Sequence, residues 1–104
     1  MHRLQTDEIF HFYLGDPVEM LQLFTDGSGE VITLGQDILN GMYPQITVPR
    51  GTWQGARLYR SGNFTLLGTT MAPGFESSDY EDGHRDELIT SYPQFKDLIT
   101  ALTK

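Results

Sequence analysis

The sequence contains no cysteine, few basic residues and no long apolar run. Without cysteine there can be no disulfide, no thiolate metal site and no cysteine nucleophile. Only 7 residues are Lys or Arg against 14 that are Asp or Glu, which gives a net charge of −7. Because binding to a phosphate backbone needs clustered basic side chains, this composition argues against a nucleic-acid partner.

The distribution of apolar residues argues against a signal peptide and against a membrane-spanning helix. The opening MHRLQTDEIF carries charges where a signal peptide needs an apolar core, and no stretch approaches the roughly 20 apolar residues of a membrane-spanning helix. We therefore expect a soluble, cytoplasmic protein with no membrane partner. The hydrophobic fraction of 38% and aromatic fraction of 12% still suffice for a packed globule, and 104 residues suit one domain.

Strand-like runs dominate the sequence up to residue 72. They are separated by turn sequences such as GDP, DGSG and PRG. Because the spacing is even and no helical segment intervenes, the pattern predicts an antiparallel sandwich or barrel rather than a parallel βαβ sheet. The predicted strands lie near residues 9–14, 19–24, 31–34, 45–48, 52–59 and 64–71.

The C-terminal segment has a helical pattern instead. In YPQFKDLITALTK, Pro93 suits a first helical turn, and a shorter helix is predicted around residues 85–90, so the helical tail covers about 84–103. We expect this amphipathic tail to pack its apolar stripe on the outside of the sheet or on a partner chain. The stripe consists of Phe95, Leu98, Ile99 and Leu102.

The opening stretch HRLQTDEIFHFYLG carries polar residues at intervals that suit a strand. His2 is followed by Glu8 and then, after six further residues, by Gly15. Residues two apart on a strand face the same way, so alternate positions can converge on one cation inside a barrel. The spacing matches the first cupin motif, H-x-H, three or four residues, E, six residues, G, with Leu4 at the second His position.

A second stretch, PRGTWQGARL, begins with a tight turn made by Pro49 and Gly51. It matches part of the second cupin motif, G-x5-P-x-G-x2-H-x3-N. Gln54 stands at the ligand His, Leu58 replaces the final Asn, and Gly41 lies two residues too far upstream. The turn is kept, whereas the metal ligands are partly lost.

Longer phrases resemble one small cupin family: HRLQTDEIFHFYLGDPVEM, TLGQDILNGMYPQITVPRGTWQGARL and LLGTTMAPGFESSDYE. The resemblance covers nearly the whole chain. It implies an all-β, cupin-type jelly-roll barrel (a double-stranded β-helix) with a short C-terminal helical tail, as a single domain over residues 1–104 with strands over about 2–72. It also implies a homodimer without a firmly assigned biochemical function, whose fold neighbours include nucleotide-sugar epimerases.

The chain departs from that family at its start. Members carry some early strands before the His, whereas His2 here follows Met1 directly. Unpaired sheet edges are usually covered by pairing or dimerisation, so either the sequence is truncated or a second chain completes the barrel. Without a strand to anchor it, we expect His2 to be a disordered terminal residue rather than a ligand.

Glu8, His11 and Tyr13 are the candidate catalytic residues. In a regular strand, Glu8 shares the inner face with Phe10 and Phe12, and His11 and Tyr13 share the other face. We expect Glu8 to be a ligand or an acid–base carboxylate in an apolar cavity, the alternative being a turn residue that faces water. His11 and Tyr13 are candidates because epimerase-type cupins pair His with Tyr; the alternative is a structural contact.

Four residues are candidates for ligand binding: His2, Gln45, Trp53 and Gln54. An amide donates and accepts hydrogen bonds but is a poor transition-metal ligand, so the two glutamines suit a neutral polar molecule. Trp53 is a candidate stacking wall, although core packing is the interpretation we favour for it. His2 and Glu8 are the metal ligands that remain. Because catalytic metal sites usually have three protein ligands, we expect no cofactor, with a divalent metal as the alternative.

The predicted function is binding of a small polar molecule, sugar-like or nucleotide-like, in the barrel. One alternative is a metal-independent isomerase or epimerase in which Glu8 or His11 is the base and Tyr13 the acid. Another is a metal-dependent cupin enzyme with a degenerate ligand set. A purely structural, dimeric scaffold is predicted if Phe10, Phe12 and Trp53 fill the interior.

Overall fold

The structure is a computed structural model that describes residues 1–59, 62–72 and 80–103. Within these ranges the chain forms eight strands and then two helices of seven residues each, so neither helix is long enough to cross a bilayer. The elements are β1 (His2–Leu4), β2 (Asp7–Gly15), β3 (Val18–Leu23), β4 (Gly29–Leu34), β5 (Gln45–Val48), β6 (Trp53–Leu58), β7 (Thr65–Ala72), β8 (Tyr80–Asp82), α1 (Arg85–Ser91) and α2 (Lys96–Leu102).

The strands form two antiparallel sheets that face each other. The five-stranded sheet has the order β4-β3-β6-β1-β8, and the three-stranded sheet has the order β5-β2-β7. These sheets confirm the predicted jelly-roll fold. The barrel is open along one side, because Ala56 and Thr69 point inward by register and are nevertheless exposed.

The core between the sheets follows from the alternation of side chains along each strand. In β2, Glu8 and Phe12 are buried and the in-phase Phe10 packs against the core, as predicted. The inward positions of β3 meet those of β2 across the sandwich. The buried apolar residues of this core are Phe12, Val18, Met20, Leu34, Ile46 and Val48.

A second apolar cluster covers the outer face of the five-stranded sheet. The helical tail packs there, on the opposite side of the sheet from the first core. This is the first of the two predicted placements, the outside of the sheet rather than a partner chain. The Tyr92 hydroxyl donates to the Phe24 carbonyl at 2.6 Å, and a Cβ on Gly29 would lie 2.5 Å from the Phe95 ring, so the sheet and the tail touch closely. The buried residues of this cluster are Leu21, Leu23, Leu88, Tyr92 and Ile99.

The tail begins its last helix later than predicted. Residues Pro93–Phe95 form a 3-10 turn, and α2 starts only at Lys96. Proline suits the first position of this turn, because the backbone N–H that it lacks would have no partner there. The same missing N–H prevents α1 from continuing into α2. The tail is therefore two short helices joined by a turn.

β1 lies within the predicted strand region of residues 2–72 but was not predicted as a separate strand, and β8 lies beyond that region, because three residues are too few to show an alternating pattern. β1 lies between β6 and β8, with His2 opposite Gln54 on one side and opposite Asp82 on the other. The expectation that His2 is a disordered terminal residue is therefore wrong: pairing on both sides anchors it.

Candidate functional site

A row of polar side chains crosses the inner face of the five-stranded sheet. The registers place Gln22 opposite Gln54, Gln54 opposite His2, and His2 opposite Asp82. Directly opposed residues project from the same face of an antiparallel sheet. Gln22 and Gln54 are only 2% and 3% exposed, His2 is half-buried and Asp82 is exposed, so this polar band runs from the interior of the barrel to the surface at β8.

Glu8 faces this row from the three-stranded sheet. It is 5% exposed, and the Gln54 amide donates from Nε2 to Glu8 Oε1 at 2.9 Å. An ionised carboxylate only accepts hydrogen bonds, which fixes the Gln54 amide with its nitrogen towards Glu8. The pair joins the two sheets by a buried, charge-assisted hydrogen bond.

His2 lies between two carboxylates. Burial lowers the pKa of its imidazole, and the neighbouring terminal ammonium lowers it further, whereas the charges of Glu8 and Asp82 oppose the shift only in part. Because the unperturbed imidazole pKa is already below neutrality, His2 is predominantly neutral at pH 7. In this form it can accept a proton or a hydrogen bond.

Tyr80 is the aromatic side chain of the site. Its ring stacks on His2 with a centroid distance of 5.2 Å and an interplanar angle of 15°, and its hydroxyl donates to Asp82 Oδ1 at 2.8 Å. This hydrogen bond is the main reason that the pKa of Tyr80 is raised. Tyr80 thus covers the imidazole from the edge strand β8, and Asp82 positions the Tyr80 hydroxyl.

Three of the residues predicted from the motifs come together: His2, Glu8 and Gln54. They converge because β1, β2 and β6 each present one inward side chain at the same level of the barrel. Gln22, Tyr80 and Asp82 were missed. For Gln22 there was a signal, since it is in phase with Val18 and Met20 in an apolar strand, where a polar side chain stands out.

His11 and Tyr13 are on the outer face of β2, as their phase predicted, and so the structure does not bring them to Glu8. Their rings stack at a centroid distance of 6.5 Å, and His11 Nε2 lies 3.1 Å from Thr70 Oγ1. A β-bulge between Phe12 and Leu14 ends the regular register there. A role for these two residues in a reaction at Glu8 is not supported by this separation.

Gln45 and Trp53 also lie outside the barrel. Gln45 is exposed opposite His11, and Trp53 packs beneath the helical tail, with the Arg3 guanidinium 4.4 Å from its ring centroid. Because Trp53 is adjacent to the inward Gln54, strand alternation sends it to the opposite face. Trp53 therefore packs in a core, as one of its two interpretations predicted, but in the cluster between the five-stranded sheet and the helical tail and not between the two sheets.

The donor set at the site does not fit a transition metal. Gln54 directs its N–H group, not its oxygen, at Glu8, and the buried Leu4 adds no ligand. Within residues 1–59, 62–72 and 80–103, no group of three or more His, Cys, Asp or Glu side chains is arranged to hold a metal ion. The described residues of this site therefore lack the three or more convergent ligands that a catalytic transition metal needs.

A comparison with protein families gives a match over residues 1–82 to the Cupin_5 family, described as cupin superfamily (DUF985). The chain belongs to the cupin superfamily. The match includes His2 and the four residues around it, Glu8, Gln54, Tyr80 and Asp82. No curated protein matches.

Two solved cupin-like structures are similar to this chain over almost its full length. Protein SO0799 from Shewanella oneidensis is 32% identical with a TM-score of 0.90, and a hypothetical protein from Leishmania major is 25% identical with a TM-score of 0.88. The matches cover 99% and 98% of this chain but only 65% and 66% of those proteins. This cupin thus spans just under two thirds of the length of each relative.

Proposed function

We propose that this cupin binds a small polar molecule between its two sheets, with Glu8, Gln54 and His2 as the recognition residues. The observation that carries the proposal is the buried Glu8–Gln54 hydrogen bond beside a predominantly neutral imidazole. Burying a carboxylate costs several kcal/mol, and an apolar pair of similar shape is often as stable or more so. A polar band at this position is therefore better explained by recognition than by stability.

The open side of the barrel supports binding over a purely structural role. Ala56 and Thr69 point inward yet are exposed, so the two sheets do not close over each other at these positions. Trp53, which a filled interior would require, packs outside it. These features favour a ligand-binding barrel over a scaffold.

Proton transfer of the isomerase type is less well supported. It needs an acid opposite the base, and Tyr80 is the aromatic hydroxyl near His2. Its hydroxyl proton is held by Asp82, which raises the pKa of Tyr80 and makes it a weaker acid at neutral pH. A binding function requires no such proton release.

Glu8→Gln is expected to weaken ligand binding by about 10- to 100-fold, because a hydrogen bond to a charged group contributes roughly 1.5–3 kcal/mol. Glutamine keeps the size of the side chain and can still accept from Gln54, so the fold should persist. The measurement is calorimetric titration with glucose, rhamnose, uridine and adenosine, after native mass spectrometry has identified any molecule retained on purification.

Glu19→Gln is the matched control. Glu19 lies on the outer face of the same barrel, where Oε1 accepts from Arg57 Nε at 2.9 Å. The control should bind as tightly as the wild type. If Glu8→Gln binds with wild-type affinity, the ligand site lies elsewhere and the proposal is wrong.

We also propose that this cupin forms a homodimer through the outer face of its three-stranded sheet. The bulge in β2 turns Tyr13 and Leu14 outward beside Leu66, and these side chains are 54%, 47% and 51% exposed. Among the described outward positions of β2, β5 and β7, Asp7 alone is charged. Two chains of charge −7 repel each other least through such a face.

Leu66→Asp is expected to convert the dimer to a monomer at concentrations where the wild type is dimeric, since it buries a carboxylate in the proposed contact. Sedimentation velocity over a concentration series measures this, with an at least tenfold weaker association as the expected result. Val31→Asp, on the other sheet and 44% exposed, is the control. A monomeric wild type would refute the proposal.

A further inference from the structure

We propose that the ligand bound between the sheets carries a positively charged nitrogen, with Glu8 as its counter-ion. This inference rests on the binding function proposed above and narrows it to one chemical class, small organic cations.

The first support is the charge on the inner faces of the two sheets. Over the described parts of the strands, the inward positions carry the carboxylates of Glu8, Glu30 and Asp82, and no Lys or Arg. The basic residues of these strands, Arg3 and Arg57, are on the outer face, where each is paired with a glutamate. Of these three carboxylates only Glu8 is buried, whereas Glu30 and Asp82 are exposed. Glu8 therefore faces no Lys or Arg from the inward positions of these strands.

The second support is the state of His2. It is the one titratable nitrogen among the inward positions of the described strands, and it lies near both Glu8 and Asp82. Burial lowers the pKa of the imidazole, so His2 is mainly neutral at pH 7 and does not balance Glu8. The terminal ammonium of Met1 interacts with Asp82 and donates to the Leu102 carbonyl at 2.7 Å, so the charge that lacks a partner is that of Glu8. A cationic ligand would supply the missing charge, whereas a phosphate-bearing one would be repelled.

The third support is independent of charge. Residues 4–8 alternate strictly between buried and exposed, with Leu4, Thr6 and Glu8 inside. Thr6 is 7% exposed, and its hydroxyl has no hydrogen-bond partner within the described residues. A buried hydroxyl in phase with Glu8 and without a partner indicates a missing polar group in the interior. A ligand that bears hydrogen-bond donors satisfies Thr6 and Glu8 together.

The test compares choline with 3,3-dimethylbutan-1-ol, in which carbon replaces the charged nitrogen. The two molecules have the same shape and hydroxyl group, so the difference in affinity reports the charge alone. We expect choline to bind at least about tenfold more tightly in calorimetric titration of the full chain, and Glu8→Gln to remove most of this preference. Glu19→Gln, whose carboxylate is paired with Arg57 outside the barrel, should retain it.

Choline could fail to bind only because its shape does not suit the site. The same titrations are therefore made with three cations of other shapes, methylammonium, tetramethylammonium and guanidinium. Equal binding of choline and its neutral analogue, or tighter binding of phosphocholine, overturns the inference. If no cation binds but a sugar or nucleoside binds in a Glu8-dependent manner, the cationic class is wrong and the binding function stands. If no probe shows dependence on Glu8, both proposals fail.

Discussion

The double variant Leu4→His, Gln54→His is expected to bind about one divalent transition-metal ion per chain, which the wild-type donor set does not favour. Leu4 is 3% exposed and shares the inward face of β1 with His2, and Gln54 lies opposite His2. The two substitutions would add two imidazoles to one imidazole and the Glu8 carboxylate. Three or four such ligands at one point form a typical site for zinc or nickel.

Metal uptake is measured by calorimetric titration with Zn²⁺ and Ni²⁺ and by elemental analysis after dialysis. We expect an affinity at least about a hundredfold above that of the wild type, and a rise in the thermal midpoint on adding metal, because binding stabilises the folded state. Val31→His with Leu39→His adds two exposed imidazoles as a control. If the double variant binds no more metal than this control, His2, Glu8 and residues 4 and 54 do not converge as described.

Ile99→Ala is expected to lower the free energy of unfolding by about 2–5 kcal/mol, a large part of the roughly 5–15 kcal/mol typical of a domain. Ile99 is fully buried, and its side chain packs in the cluster that joins the tail to Leu21 and Leu23 of β3. Truncation leaves a cavity beneath the helices. Urea unfolding followed by circular dichroism gives the value.

The control for this substitution is Thr100→Ala on the next residue of α2, which is exposed and should change stability by no more than about 0.5 kcal/mol. Equal effects of the two substitutions would mean that the tail does not contribute to the folded core. A change in the denaturant dependence rather than in the midpoint would instead indicate loss of two-state unfolding.

Much of the fold could be predicted from alternation and turn chemistry, because six of the strands are long enough to show both. The site could be predicted only where a motif fixed the position, as for His2, Glu8 and Gln54. Trp53 was a candidate for the pocket wall, with core packing as the favoured interpretation; because it adjoins Gln54 and two adjacent strand residues cannot share a face, it packs in the outer core. Tyr80 and Asp82 reach His2 only through the pairing of β8 with β1, which no local pattern encodes.

The register of the short strand β1 determines which of its side chains face the interior of this cupin. Arg3 forms a two-pronged ion pair with Glu81 and lies over Trp53, while its neighbour His2 points the other way. A shift of one residue in β1 would exchange these two side chains and turn a guanidinium towards Glu8. The buried Leu4 holds the register, because such a shift would also turn Leu4 to solvent, and the exposed Arg3–Glu81 ion pair adds only a little to it. One apolar side chain thus determines which charges face the interior of the barrel.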